Sequence, residues 1–139
     1  MKALVIIPTY NEAENIFAII NEVLKQSGNI EVLIVDDNSP DKTSEIVLDM
    51  MVVEERIHLL KRAGKLGLGS AYVEGFKYAL KQDYDYIFEM DADFSHDPKV
   101  IPVMLSEIKE NDLIIGSRYL SGIKVVNWPL WRLLLSSFA

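Results

Sequence analysis

The feature that most constrains the fold of this chain is the regular alternation of short apolar runs with longer amphipathic segments. Short apolar runs are typical of strands buried on both faces, and amphipathic segments are typical of helices. Strands and helices in this order predict an α/β fold, with a mostly parallel sheet flanked by helices. The predicted strands are residues 3–8, 31–36, 56–60, 85–90 and 112–116, and the predicted helices are residues 12–26, 42–53, 68–81, 98–109 and the last dozen.

The composition limits the class of protein further. The chain has 139 residues, enough for a single domain over residues 1–139, and half of them are hydrophobic, which is sufficient for a core. Its net charge of −7 argues against a nucleic-acid partner, since such proteins carry a basic surface. The absence of cysteine excludes disulfides and thiolate metal sites and fits a cytoplasmic setting. No apolar run reaches about 18 residues, so the sequence predicts no membrane-spanning helix.

Two carboxylates follow the fourth predicted strand, at the edge where parallel sheets bind ligands. Asp91 and Asp93 are two residues apart, a spacing that in extended backbone points both side chains to one side. Such oxygen ligands suit Mg²⁺ or Mn²⁺, which carboxylates often hold together with substrate phosphates. The alternative is a pair of solvated loop acids, because Asp-x-Asp alone is a weak signal. His96 is interpreted as a loop residue or a partner of a metal ligand, rather than a ligand.

The segment after the first predicted strand is a candidate for nucleoside binding. Tyr10 is suited to stack on a base and Glu12 to hydrogen-bond one, whereas Asn11 and Glu14 have the spacing of a helix capping box. The glycine-rich phosphate loops of dinucleotide enzymes and P-loop NTPases are absent from this position. A bound phosphate would therefore need another partner, such as a metal ion on the two aspartates.

Adjacent acids end the second predicted strand. Asp36 and Asp37 could accept hydrogen bonds from a base or a ribose. The Asn-Ser-Pro-Asp sequence that follows them is also ordinary turn chemistry, so a turn without a ligand is an equal alternative. Asp41 or Thr43 is expected to cap the second helix.

Basic residues at the same sheet edge could neutralise phosphates. Arg62 and Lys65 lie in a glycine-containing stretch that opens the third helix, where a flexible loop with solvated charges is the alternative. Arg118 follows the fifth predicted strand, and its guanidinium could clamp a phosphate or pair with a carboxylate.

Six ordered motifs give the chain a resemblance to the family-2 glycosyltransferases, and within them to the dolichol-phosphate (polyprenyl-phosphate) mannose synthases. The similarity extends over nearly the whole chain. The motifs are PTYNEAENI (8–16), IVDDNSPD (34–41), GKLGLGSAY (64–72), MDADFSH (90–96), GSRY (116–119) and the pair Trp128 and Arg132.

The resemblance implies a GT-A fold and an inverting transfer of mannose from GDP-mannose to a polyprenyl (dolichyl) monophosphate, with Mg²⁺ or Mn²⁺ as cofactor. The alternatives are another family-2 transferase that uses UDP-glucose or a similar donor, and an inactive nucleotide-binding fragment. It assigns metal and diphosphate binding to Asp91, Ala92 and Asp93, with Ser95 where some relatives carry a metal-binding glutamine. Arg118 would contact the donor and Arg132 the acceptor phosphate. Donor binding would further involve Pro8, Tyr10, Asn11, Glu12, Val35, Asp37 and Lys65.

The resemblance also implies a membrane surface as a partner. Members of the family are longer, so the chain is expected to carry the N-terminal, nucleotide-binding part of a C-terminally truncated domain. Residues 125–139 are expected to form an amphipathic interfacial segment, with tryptophans suited to a bilayer surface. The expected location is therefore the cytoplasmic face of a membrane, as a peripheral protein.

Overall fold

A computed structural model of the chain describes residues 1–116. Four strands alternate with four helices in this part of the chain, in close agreement with the predicted order. Their bounds are β1 Ala3–Thr9, α1 Ile16–Leu24, β2 Ile30–Asp36, α2 Thr43–Met51, β3 Ile57–Lys61, α3 Leu68–Ala79, β4 Tyr86–Glu89 and α4 Ile101–Glu107, with 3-10 turns at Pro98–Val100 and Ile108–Glu110. Arg118, Trp128, Arg132 and the segment 125–139 lie outside the described residues.

The four strands form one sheet in the order β3-β2-β1-β4, and each adjacent pair is parallel. The predicted parallel sheet is thereby confirmed. After β3 the chain crosses to the other side of β1, so the direction of winding changes between β1 and β4. In open α/β sheets, the crevice at such a switch point, beyond the carboxyl ends of the strands, is where ligands bind.

Alternate residues of each strand pack on opposite faces of the sheet, as the period of two requires. Val5 and Ile7 face the layer that contains α1, whereas Leu4 and Ile6 face α3. All four side chains are fully buried. Gly75 of α3 lies directly over β1, and a Cβ atom there would come within 2.6 Å of Cγ2 of Ile6. The glycine therefore sets how closely α3 approaches the sheet.

A carboxylate joins residues at, or just before, the amino-terminal parts of all four strands. Glu31, in β2, accepts hydrogen bonds from Lys2 Nζ at 2.7 Å and Tyr84 OH at 2.6 Å, and its Oε2 lies 2.7 Å from Nε2 of His58. Burial by itself would raise the pKa of Glu31, but the bonds from Lys2, Tyr84 and His58 outweigh it and lower the pKa to about 2. His58 of β3 thus belongs to a network that also includes Lys2, next to β1, and Tyr84, just before β4.

Two sequence-based expectations are wrong. The first helix begins at Ile16 rather than at residue 12, and Asn11 has a left-handed backbone with φ of 62° instead of capping the helix. The Asn11 amide, which Glu14 would bind in a capping box, donates to Ser39 Oγ instead, as described below. Residues 112–116 have no strand structure, and Leu113 and Ile115 are 74% and 76% exposed. An apolar run becomes a strand only where a neighbouring strand pairs with it.

Within residues 1–116, no helix is both long enough and apolar enough to cross a membrane.

Candidate functional site

Asp36, at the carboxyl end of β2, is buried and accepts hydrogen bonds that fix the loop that follows it. Its Oδ1 accepts from the hydroxyls of Thr9 at 2.8 Å and Ser39 at 2.5 Å, and its Oδ2 accepts from the Ser44 hydroxyl at 2.6 Å and the Ser39 amide at 3.0 Å. Burial opposes ionisation, but the four hydrogen bonds lower the pKa of Asp36 below its ordinary value. Asp36 therefore binds protein groups, which corresponds to the turn alternative of the sequence analysis.

The β2–α2 loop in turn supports the segment between β1 and α1. The amides of Asn11, Glu12 and Ala13 donate to Ser39 Oγ at 3.0 Å, Thr43 Oγ1 at 3.0 Å and Asp41 Oδ2 at 2.9 Å. The other oxygen of Asp41 accepts from the Thr43 amide at 3.1 Å, at the start of α2. Lys42 occupies the N-cap position of α2 and its side chain makes no capping hydrogen bond, so the predicted cap by Asp41 or Thr43 is wrong. Asp41 instead joins the first amide of α2 to the segment that precedes α1.

Asp37 makes a buried ion pair with Arg62. The Arg62 guanidinium donates to Asp37 Oδ1, to Ser70 Oγ at 2.8 Å and to the Gly67 carbonyl at 3.1 Å, while Asp37 Oδ2 accepts from the Leu66 amide at 2.9 Å. Desolvation raises the pKa of Asp37, but the bonds from Arg62 and Leu66 lower it overall. The pair fixes the loop that precedes α3 to the end of β2.

Lys65 and Tyr10, both predicted to contact a ligand, meet above the end of β1. The Lys65 ammonium lies 4.3 Å from the centroid of the Tyr10 ring, which is cation–π geometry. Tyr10 is 37% exposed, so the ring is open to solvent at the switch point. The two residues form an exposed aromatic and cationic surface beside the end of β1.

The Asp91–Asp93 loop leaves the sheet at the end of β4. Asp91 Oδ1 accepts from the Tyr72 hydroxyl of α3 at 3.4 Å, and Asp91 Oδ2 accepts from Ser95 Oγ at 3.4 Å. Asp93 Oδ1 accepts from the Ser95 amide at 2.9 Å, across the left-handed residue Phe94, whose φ is 59°. Burial favours the neutral form of Asp93, yet these Ser95 bonds keep its pKa below the ordinary value. The loop is therefore anionic at neutral pH.

The donor set of this loop fits a hard divalent cation. It consists of the Asp91 and Asp93 carboxylates and the Ser95 hydroxyl, all oxygen, and both Asp93 and Ser95 are exposed. Within residues 1–116, no group of three acidic, histidine or cysteine side chains is arranged to enclose a metal. A cation would therefore need water or ligand oxygens as well, which is the usual condition of Mg²⁺.

The structure places the remaining predicted residues in different roles. Val35 is fully buried and Ala92 is 3% exposed, and both side chains belong to the core, so only their backbone could face a ligand. Pro8 is half-buried near the end of β1, where it pairs with Val35. Tyr72 was not predicted as a site residue. Burial, followed by the charge of Asp91, raises the pKa of Tyr72, so its hydroxyl stays protonated as a donor.

Residues 4–137 match the family described as Glycosyl transferase family 2. The undecaprenyl-phosphate mannosyltransferase of Micrococcus luteus is 42% identical over 98% of this chain and 56% of that protein. The polyprenol monophosphomannose synthase of Mycolicibacterium smegmatis is 43% identical over 99% of this chain and 53% of that protein. The chain thus spans about half the length of these curated relatives.

Two solved structures share the fold. Staphylococcus aureus TarS 1-349 has a TM-score of 0.68 and 23% identity, over 93% of this chain and 38% of that one. A mannosyltransferase from Pyrobaculum calidifontis, in complex with GDP-Man and Mn²⁺, has a TM-score of 0.52 and 26% identity, over 55% of this chain and 24% of that one. The fold is therefore the GT-A fold that the sequence motifs imply.

Proposed function

The chain belongs to glycosyl transferase family 2, and we propose that it carries the nucleotide-binding part of an enzyme that moves mannose from GDP-mannose to a polyprenyl (dolichyl) monophosphate. The names of the relatives from Micrococcus luteus and Mycolicibacterium smegmatis support the sugar and the lipid phosphate. The observation that carries the proposal is the meeting of two ligand-binding surfaces at one switch point. Tyr10 and Lys65 lie at the end of β1, and the Asp91–Asp93 loop lies at the end of the adjacent β4.

The end of β1 suits the nucleoside of the donor. The exposed Tyr10 ring offers a stacking face to guanine. The half-buried Glu12, whose Oε2 accepts from Asn15 Nδ2 at 3.0 Å, would offer its carboxylate to the edge of the base. Lys65 would leave the ring when a base covers it, and its ammonium would then lie near the diphosphate. Pro8, Asn11 and the backbone at Val35 would line the rest of this subsite. Asp37, which holds Arg62 and Leu66, would shape the subsite from behind.

The end of β4 suits the diphosphate. Asp91, Asp93 and Ser95 would hold Mg²⁺ or Mn²⁺, which supplies Lewis-acid stabilisation of the charge on the departing nucleoside diphosphate. Tyr72 fixes one oxygen of Asp91 by its hydroxyl, and the backbone at Ala92 lies between the two carboxylates. The Mn²⁺ and GDP-Man bound by the Pyrobaculum mannosyltransferase support this assignment.

The proposed acceptor, a lipid monophosphate, is itself the nucleophile of the transfer. A lipid monophosphate has a second pKa near ~6, as other phosphomonoesters do, and is largely dianionic at neutral pH. It can attack the anomeric carbon directly, with inversion, without a general base to remove a proton. Arg118 and Arg132 are proposed to offset the repulsion between donor and acceptor phosphates. Residues 125–139 are proposed to rest on the cytoplasmic face of the membrane that holds the lipid.

A thermal-shift panel tests the donor assignment. GDP and GDP-mannose with Mn²⁺ should raise the melting temperature more than UDP and UDP-glucose do, and omission of Mn²⁺ should remove most of the gain. Asp93→Ala should abolish the Mn²⁺-dependent part. Asp83→Ala is the matched control, because Asp83 is an exposed acid in the turn before β4, at the opposite end of the sheet. Equal stabilisation by GDP with and without Mn²⁺ would contradict the proposal.

A transfer assay tests the reaction. Radiolabelled GDP-mannose and undecaprenyl phosphate in detergent should yield a lipid-linked mannose with the wild-type chain and with Asp83→Ala, and at least about a hundredfold less with Asp93→Ala, since the charge on the leaving group would lose its main stabilisation. Label found only on lipid-free mannose would reduce the proposal to donor hydrolysis.

A further inference from the structure

The imidazole of His96 folds back onto the residue that begins the acidic loop. Its Nδ1 accepts a hydrogen bond from the Asp91 amide at 3.1 Å, and its Nε2 lies 3.9 Å from Asp91 Oδ2. The two residues are five positions apart, so the contact closes a short ring of backbone around Asp93. The His96 side chain is 41% exposed, which leaves one side of the imidazole in solvent.

The contact between His96 and Asp91 lies where the pairing of β4 with β1 ends. The β1–β4 ladder continues to the Met90 amide, which donates to the Ile6 carbonyl at 3.1 Å. The next amide, that of Asp91, points to the opposite side of β4, where the described residues provide no neighbouring strand, and donates to the imidazole. His96 therefore supplies the acceptor at the point where the sheet ends and the loop begins. The His96 imidazole therefore helps to fix the orientation of the Asp91 backbone, from which the Asp91 carboxylate projects.

The other contacts of Asp91 are longer. The hydroxyls of Tyr72 and Ser95 lie 3.4 Å from its carboxylate oxygens, at the outer limit of hydrogen-bond length. The hydrogen bond from the Asp91 amide to His96 is thus the shortest of the polar contacts that fix Asp91 within the described residues.

We propose that His96 is a positioning residue for Asp91 in the metal and diphosphate site. The proposal rests on the function proposed above. His96 is not a ligand in this assignment: a ring nitrogen that accepts an amide proton has no lone pair left for a metal, and a neutral imidazole then carries its own proton on Nε2. The ring instead fixes the backbone from which a ligand projects.

Two substitutions separate the ring nitrogens. In His96→Asn the amide oxygen takes the place of Nδ1, whereas in His96→Gln the amide group reaches the place of Nε2. The first keeps an acceptor for the Asp91 amide and the second does not. Electron paramagnetic resonance of unbound Mn²⁺, in the presence of GDP, measures metal affinity directly and requires no turnover.

We expect His96→Gln and His96→Ala to weaken Mn²⁺ binding by about tenfold or more, as is usual when the partner of a metal ligand is removed. His96→Asn should stay within about threefold of the wild type. Urea unfolding of each variant shows whether a general loss of stability accompanies the change, and His96→Asn and His96→Gln should unfold at similar midpoints. Wild-type affinity in all three variants, or equal loss in Asn and Gln, would overturn the proposal.

A second readout is independent of the metal. Long-range ¹H–¹⁵N spectra of the wild-type chain should show the neutral His96 ring protonated on Nε2 and unprotonated on Nδ1. A proton on Nδ1 would overturn the proposal even if the variants bind Mn²⁺ poorly. If the wild-type chain with GDP binds no Mn²⁺ while the tautomer is as expected, the metal assignment of the proposed function fails, and His96 is a structural residue only.

Discussion

Replacement of Gly75 by alanine tests how α3 packs on the sheet. A Cβ atom at this position would lie 2.6 Å from Cγ2 and 3.0 Å from Cδ1 of Ile6. Cγ2 is attached to the branched Cβ of Ile6, so it moves only if χ1 changes or the backbone shifts. Ile6 is fully buried in the middle of β1, which leaves little room for either change.

The magnitude follows from two opposing effects. Overpacking of a core typically costs about 1–3 kcal/mol, and the rigid position of Cγ2 points to the upper part of that range. Alanine is a better helix former than glycine by about 1 kcal/mol. We therefore expect Gly75→Ala to lower the free energy of unfolding by about 2 kcal/mol. Urea unfolding monitored by circular dichroism measures this change, with the m value unaltered.

Gly69 provides the matched control in the same helix. A Cβ atom there would meet no atom within 4 Å among the residues that the structure describes. Gly69→Ala should thus leave stability unchanged or raise it slightly. In an Ile6→Ala background the penalty of Gly75→Ala should disappear, because the obstructing Cγ2 is gone. If Gly75→Ala is as stable as Gly69→Ala, the close approach of α3 to β1 is wrong.

Four further predictions concern three charged residues and the Tyr10 ring. The pKa of Glu31 is lowered to about 2 from 4.5, so its ionisation stabilises the fold above pH 4.5 and this stability is lost as the pH falls toward 2. Glu31→Gln should therefore lower the free energy of unfolding by up to about 3 kcal/mol at neutral pH. It should also flatten the acid limb, the fall of stability between pH 7 and pH 2, when unfolding is measured over that range. Arg62→Leu should cost about 3–5 kcal/mol in urea unfolding, because it leaves the buried carboxylate of Asp37 without its partner. Lys65→Met should weaken GDP binding several-fold in calorimetry, and Tyr10→Leu should do so by about tenfold, since a stacked base is worth about 1–3 kcal/mol.

Exposed cations provide controls for the Arg62 and Lys65 substitutions, and the Glu31 and Tyr10 predictions each have a contradicting result. Lys61→Leu removes an exposed cation next to Arg62 and should be nearly neutral for stability. Lys42→Met removes an exposed cation from the β2–α2 loop and should leave GDP affinity unchanged. An acid limb unaltered in Glu31→Gln would show that another carboxylate governs it. GDP affinity unaltered in Tyr10→Leu would place the base elsewhere.

The strands were predictable because their signal is strong and local. A strand buried on both faces requires a continuous apolar run, and β1 and β2 are such runs, so their positions were predicted to within a residue or two. The residues 112–116 gave the same signal without a strand, since pairing depends on a neighbour that a local pattern does not contain. The start of α1 was mispredicted for a related reason: the amides of the segment before it bind Ser39, Asp41 and Thr43, which are distant in the sequence.

The location of the candidate site was predictable from the sequence, whereas the contacts of its side chains were not. Asp91 and Tyr10 lie at the sheet edge that their positions after strands indicated. Residue type alone did not show that Asp36 binds groups of the protein while other acids face solvent. It also did not show that Arg62 forms a buried ion pair with Asp37. Those outcomes depend on which side chains the fold brings together, and the contact of Tyr72 with the acidic loop is of the same kind.

The pairing of β4 with β1 has a consequence for the order in which the molecule forms. Ala3 aligns with Tyr86, so this edge of the sheet closes a far longer stretch of polypeptide than the β1–β2 or β2–β3 edges do. Long-range closure is entropically costly and slow. We expect pulse-labelled amide exchange during refolding to show β4 protected last, and the two aspartates would then reach β1 only in that final event. Protection of β4 in step with β2 would refute this order.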